Sequence, residues 1–145
     1  MRAAAWCERA AAVVDEEIIA WVREELMVAG RFDGLKRAPC HRDLSPRNWL
    51  YERDTGRFSV IDFEHARSDV WLIDLLKLWD GPWRGRPELE QTFFEGYGRA
   101  LSERERAQLG AMGALHALST VVWSRDHQDA EYEAQGWRLL ASLRG

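Results

Sequence analysis

The stretch that most restricts how this chain can fold runs from Cys40 to Asp62 and reads C-H-R-D-L-S-P-R-N-W-L-Y-E-R-D-T-G-R-F-S-V-I-D. Two apolar runs, at 48–52 and 57–62, flank Arg53-Asp54-Thr55-Gly56. That is a β-hairpin signature, with a glycine available for a left-handed position. A short strand at 37–41 leads into a polar loop, Asp43 to Arg47, interrupted by Pro46. Because a hairpin folds the chain back on itself, Asp62 returns close to Asn48. One cleft can then gather three oxygen-bearing side chains: Asp43, Asn48 and Asp62.

The rest of the chain reads as helix. Val14, Ile18, Val22 and Leu26 repeat at four-residue spacing within a helix over 3–28, and Asp15 is positioned to divide it in two. Gly30 to Gly34 starts a loop. Val70 to Trp79 is apolar on nearly every side, as in a buried helix, with Asp69 as its cap. Asp80-Gly81-Pro82 stops it. Three further helices are expected over 87–101, 102–127 and 129–143, the first opened by Pro87 and the second by a capping-box pattern at Ser102-Glu103-Arg104-Glu105. With 145 residues and no low-complexity linker, the expectation is one domain over 1–145: α+β, mostly helical, a loop and hairpin packed on four or five helices.

Composition excludes several classes. Twenty basic against 24 acidic residues give a net charge of −4, which argues against a general nucleic-acid binder. No apolar run is long enough to span a membrane, and the amino terminus turns acidic too soon for a signal peptide. Cys7 and Cys40 form no C-x-x-C pair and are read as reduced thiols of a cytoplasmic protein.

His41-Arg42-Asp43-Leu44 followed by Asn48 fits the catalytic-loop pattern H-R-D-L-x-x-x-N, and Val60-Ile61-Asp62-Phe63 adds an aspartate at the end of the hairpin. Phosphoryl transfer needs a carboxylate near the attacking hydroxyl and hard oxygen ligands for magnesium on the nucleotide phosphates. The stretch resembles the protein-kinase-like superfamily, and within it the aminoglycoside phosphotransferase and choline kinase group. The resemblance implies the carboxy-terminal, catalytic-loop lobe of that fold. It implies that Asp43 orients or deprotonates an acceptor hydroxyl, that Asn48 and Asp62 bind Mg2+ with ATP as phosphate donor, and that His41 supports the loop. The acceptor would be a small-molecule hydroxyl. A protein kinase is disfavoured: Glu64 stands where D-F-G has glycine, six residues separate Asp62 from Asp69, and no A-P-E occurs.

The amino-terminal lobe implied by the resemblance, with its strand lysine and helix glutamate, has no counterpart before Cys40. The only lysines are Lys36 and Lys77. Either an upstream extension or another chain supplies that lobe, or the chain is a remnant acting as a binding or regulatory module. Such a module would expose an apolar docking face. A metal-dependent phosphoesterase using His41, Asp43, Asp62 and His65 is a further alternative, but it leaves Asn48 without a role.

Other residues carry two readings. Asp74 is either a buried acceptor for the loop backbone or half of an exposed i,i+3 pair with Lys77. Arg47 is placed as a phosphate contact, against a solvated loop arginine. His65 and Arg67 follow the metal aspartate and suit either the cleft or the surface. His116 is expected to be a packed helix residue. Glu95, Asp126, Asp129, Glu131 and Glu133 form either an acidic wall or ordinary solvated helix faces. The tryptophans are expected in the core more than on a substrate platform.

Overall fold

The computed structural model describes residues 3–30, 32 and 34–145. Residues 31 and 33 of the expected 30–34 loop lie outside that set. The described chain is α+β. It has six α-helices: α1 (Ala3–Ala10), α2 (Glu16–Val28), α3 (Ile73–Trp79), α4 (Pro87–Tyr97), α5 (Glu103–Asp126) and α6 (Ala130–Arg144). Its four strands are β1 (Arg37–Cys40), β2 (Trp49–Glu52), β3 (Arg57–Val60) and β4 (Arg67–Val70). They pair as two antiparallel sheets, β1 with β4 and β2 with β3. No described helix is long and apolar enough to cross a membrane. Both cysteines are buried free thiols.

The chain forms two compact units: residues 1–32 with 103–145, and residues 33–102. The first is helical. Asp15 sits at the break between α1 and α2, and its carbonyl accepts from Ile18 N and Ile19 N. The stripe of α2 faces inward: Val22 is fully buried, and Ile18 and Leu26 pack against the same core as Val14. The centre of α5 is buried over most of its surface because α1, α2 and α6 all lie against it. Leu118, Val121 and Leu140 are sealed in that core. Helix α6 starts where Asp129 Oδ1 accepts from Tyr132 N at 3.0 Å. It approaches α5 closely at Gly136, where an added Cβ would lie 2.8 Å from Val121 Cγ2 and 3.0 Å from Val121 N.

The second unit carries both sheets. Gly56 takes the left-handed position of the hairpin at φ 69°, donating to Glu52 O at 2.8 Å. The register Trp49↔Val60 and Tyr51↔Phe58 puts these four side chains on one face.

One expectation needs correction. Asp69 does not cap a helix, and the helix does not begin at Val70. Both residues belong to β4, opposite Ala38 and Arg37 of β1. The open edge of β1 takes those backbone groups, and Trp71 N continues the ladder to Lys36 O at 3.1 Å. Helix α3 therefore starts only at Ile73, with Leu72 as its N-cap residue. Helix α4 also ends earlier than the expected 101, because Gly98 at φ 85° terminates it after Tyr97.

Asp80, just past α3, is the least comfortable group in this unit. Its side chain is 11% exposed, Arg84 Nη2 approaches only to 4.0 Å, and neither carboxylate oxygen has a hydrogen bond. Burial pushes its carboxyl up to about 7, against the opposing pull of Arg84 and Lys77.

Two stability predictions follow from this packing. Gly136→Ala should lower stability by about 1–3 kcal/mol despite alanine's helix propensity, whereas Gly110→Ala, with nothing near its Cβ, should raise it by up to ~1 kcal/mol. Thermal unfolding of the pair, with opposite signs, is the check. For Asp80, the unfolded chain releases the proton near pH ~3.9 while the folded chain holds it to about 7. The folded state then binds more protons between those values, so this group makes stability fall as pH rises through that window. Urea unfolding at pH 5 and pH 8 should show Asp80→Asn removing a loss on the order of 2–4 kcal/mol.

Candidate active site

The loop after β1 is fixed from below by α3. Asp74 is an acceptor-only group with two oxygens. Oδ2 accepts from His41 N at 2.9 Å and Oδ1 from Arg42 N at 2.6 Å. Among the described residues Asp74 makes no ion pair with Lys77, so its carboxylate serves the loop backbone. Arg42 turns the chain in a left-handed conformation, φ 68°. Its Nε donates to Asp69 Oδ2 at 3.0 Å, while Asp69 Oδ1 accepts from Val70 N. Asp69 thus ties the loop to the edge of β4.

His41 connects the loop to the hairpin. It is 5% exposed, its Nε2–H donates to Ile61 O at 2.8 Å, and its Nδ1 accepts from Asp43 N at 3.3 Å. A carbonyl on one ring nitrogen and an N–H on the other fit one neutral tautomer. The Phe63 ring lies against the imidazole, centroids 4.6 Å apart.

Asp43 and Asn48 are both buried, at 8% and 5% exposure. A single 3-10 turn over Pro46–Asn48 brings them together. Asn48 Nδ2 donates to Asp43 O at 2.9 Å and reaches Asp43 Oδ2 at 3.3 Å. Arg47 Nη2 also donates to Asp43 Oδ2. Burial alone would push the Asp43 carboxyl up. The Arg47 guanidinium, the Lys77 charge and the Asn48 amide outweigh it and hold the group below the usual carboxylate range. Lys77, one turn after Asp74 on α3, is a contributor that the sequence pattern did not single out as part of the site.

Asp62 comes back as the hairpin closes. Asn48 O accepts from Ile61 N at 3.0 Å, so Asp62 is the next residue beyond Asn48's partner. It is exposed, at φ 67°, and among the described residues nothing pairs with its carboxylate. The donor side of the Asn48 amide is used on Asp43, which leaves its Oδ1 as an acceptor. One carboxylate and one amide oxygen are the hard, sparse donor set that suits magnesium when phosphate oxygens and water complete the shell. No group of three His, Cys, Asp or Glu that could hold a metal occurs among the described residues.

Other expected candidates fall elsewhere. His65 is exposed beside Glu64 at 3.5 Å, and Arg67 lies in β4. His116 belongs to α5 in the helical unit. Of the acids, Asp126 pairs with Arg9, Glu133 with Arg125, Asp129 caps α6, and Glu95 accepts from Gln91. They have local partners and form no continuous wall.

Asp74→Ala leaves two enclosed N–H groups without an acceptor and should cost about 2–4 kcal/mol, since each unmet group costs ~1–3 kcal/mol. Asp62→Asn removes no protein contact and should stay within about 0.5 kcal/mol of the parent. Equilibrium urea unfolding measures both.

No curated protein and no solved structure matches this chain. The family model described as phosphotransferase enzyme family matches residues 1–111, which include the strand, the loop, the hairpin and α3. The chain belongs to the phosphotransferase enzyme family.

Proposed function

We propose that this chain is the catalytic lobe of a kinase-like small-molecule phosphotransferase, moving the γ-phosphoryl group of ATP to a hydroxyl. The observation that supports it most directly is the juxtaposition of a buried, ionised Asp43 with Asn48 and the unpartnered Asp62 at the open end of one hairpin, away from its turn.

Each residue then has a task. Asp43 accepts a hydrogen bond from the acceptor hydroxyl and aims its lone pair at phosphorus. A carboxylate with a depressed pKa is a weak base, so the proton passes to it late, as the new O–P bond forms and the bond to the leaving ADP breaks. Asn48 Oδ1 and the Asp62 carboxylate would hold Mg2+, which supplies charge neutralisation on the phosphates. Arg47, on Asp43 Oδ2 with a side chain 71% exposed, has the reach to contact phosphate. His41 and Asp74 support the loop and touch no reactant.

The segment before β1 consists of helices α1 and α2 as far as it is described, so the phosphate-gripping lobe would come from an upstream extension or another chain. Tyr51 and Phe58 share one face of the hairpin and, like Leu50 on the other face and Phe63 beyond it, are more than half exposed, which leaves apolar side chains open to such a neighbour.

Calorimetric titration of the purified chain with Mg–ATP is the test. The expected result is binding in the parent that disappears in Asp62→Ala. In the complete enzyme, Asp43→Ala should lower kcat by roughly a hundred- to ten-thousand-fold. Full activity of Asp43→Ala would remove the assignment. Retained Mg–ATP binding in Asp62→Ala would remove the metal role.

A further inference from the structure

The helical unit contains a half-open cavity of about 370 Å³, lined by Trp6 of α1, His116, Ser119, Thr120 and Trp123 of α5, and Tyr132 of α6. That is the size of a small-molecule cleft. None of these residues takes part in the phosphoryl-transfer reading.

Three observations restrict what it can hold. The walls include π surfaces that have neighbours of their own. Arg9 lies over Trp6 at 4.3 Å, His127 stacks on Trp123 at 3.9 Å, and Tyr132 meets Trp123 edge-on at 5.9 Å.

The second observation is an unused hydroxyl. Thr120 is 5% exposed, yet its Oγ1 makes no hydrogen bond. A helical threonine usually bonds the carbonyl one turn back. Here Ser119 Oγ donates to that carbonyl, His116 O, at 2.9 Å. The Thr120 methyl group faces α6, where a Cβ on Gly136 would lie 3.1 Å from it, which turns the hydroxyl the other way. The hydroxyl is not sealed in the core, so a ligand in the cavity can reach it.

The third is charge. No carboxylate, lysine or arginine lines the cavity, and the nearby charges are paired, Arg9 with Asp126 and Arg125 with Glu133 at 2.7 Å. A cationic ligand would find no carboxylate there, and an anionic one no lysine or arginine. A flat uncharged ring would find stacking surfaces and one hydroxyl able both to donate and to accept.

We propose that this cavity binds a small, uncharged, planar heteroaromatic molecule, packed against the rings of Trp6, Trp123 and Tyr132 and hydrogen-bonded at one edge by Thr120. The site stands on the helical unit alone and survives or fails independently of the reaction assigned to the loop and hairpin.

A suitable probe is 7-azaindole, which carries an N–H and a ring nitrogen on the same edge. Titration into the full chain, followed by the tryptophan indole N–H signals in two-dimensional NMR, should give saturable shifts of Trp6 and Trp123, assigned with Trp6→Phe and Trp123→Phe. Thr120→Val keeps the shape and removes the hydroxyl, and should weaken binding about three- to tenfold. Trp123→Leu, at an exposed position, should abolish saturation and carries the test if Thr120→Val does not fold. Absence of saturation with the folded parent overturns the proposal. Equal affinity in parent and Thr120→Val overturns the hydrogen-bonded edge, and unchanged affinity in Trp123→Leu overturns the site. Tighter binding of benzyltrimethylammonium than of 7-azaindole would instead make the cavity a cation cage.

Discussion

The candidate site hangs on the carboxylate of Asp74. Two consecutive N–H groups, of His41 and Arg42, point at its two oxygens, and only an acceptor with no donor of its own satisfies both at once. The bonds fix the backbone where it leaves β1. From that point the order is transmitted. The His41 ring reaches Ile61 O, the Asp43 N–H reaches the ring's other nitrogen, and Ile61 N returns to Asn48 O. Helix α3, the loop and the hairpin end are thereby one connected object within their unit. Removing the Asp74 carboxylate would loosen all three.

Two residues of that object have left-handed backbones without being glycine. For an L-residue this costs about 1–2 kcal/mol. Arg42 recovers part of it through its backbone bond to Asp74 and its guanidinium on Asp69. Asp62 has no such compensation. Its conformation is imposed by Ile61, whose N–H and carbonyl are both engaged, and its carboxylate is left without a partner. Backbone strain held by neighbours around an unpaired carboxylate is unusual in a purely structural turn.

Much of this was legible in the sequence because it is local. Gly56 announced the hairpin, and Asp129 marked the start of a helix, since turn and cap chemistry is written within four residues of where it acts. Strand β4 was not legible. Arg67-Ser68-Asp69-Val70 shows no apolar alternation, and it becomes a strand only because β1, thirty residues earlier, offers an open edge. The same long-range pairing turned Asp69 from a presumed helix cap into an anchor for Arg42. Asp74 stood between two readings for a related reason. In a helix apolar on nearly every side, periodicity does not say which way a lone carboxylate faces. Nor does any linker composition reveal that residues 1–32 join 103–145 as one unit.

The electrostatics of Asp43 bear on what such a loop can do. A general base is most effective with a pKa near the working pH, and burial by itself would move Asp43 that way. The structure opposes burial with a guanidinium, an ammonium and an amide, and the carboxyl ends below its ordinary range. Strong proton abstraction is thereby given up in favour of a carboxylate that is charged at every physiological pH. Phosphoryl transfer tolerates that exchange, because its loose transition state asks more for placement of the nucleophile than for its early deprotonation. Asn48 fits the same logic. Its N–H2 holds the Asp43 carbonyl and carboxylate, so one amide fixes that carboxylate and keeps its own oxygen as an acceptor. Asp80 shows the contrast within the same unit: a more deeply buried carboxyl without such partners is driven up to about 7. The two aspartates differ both in depth and in partners, and the partners are concentrated at the loop.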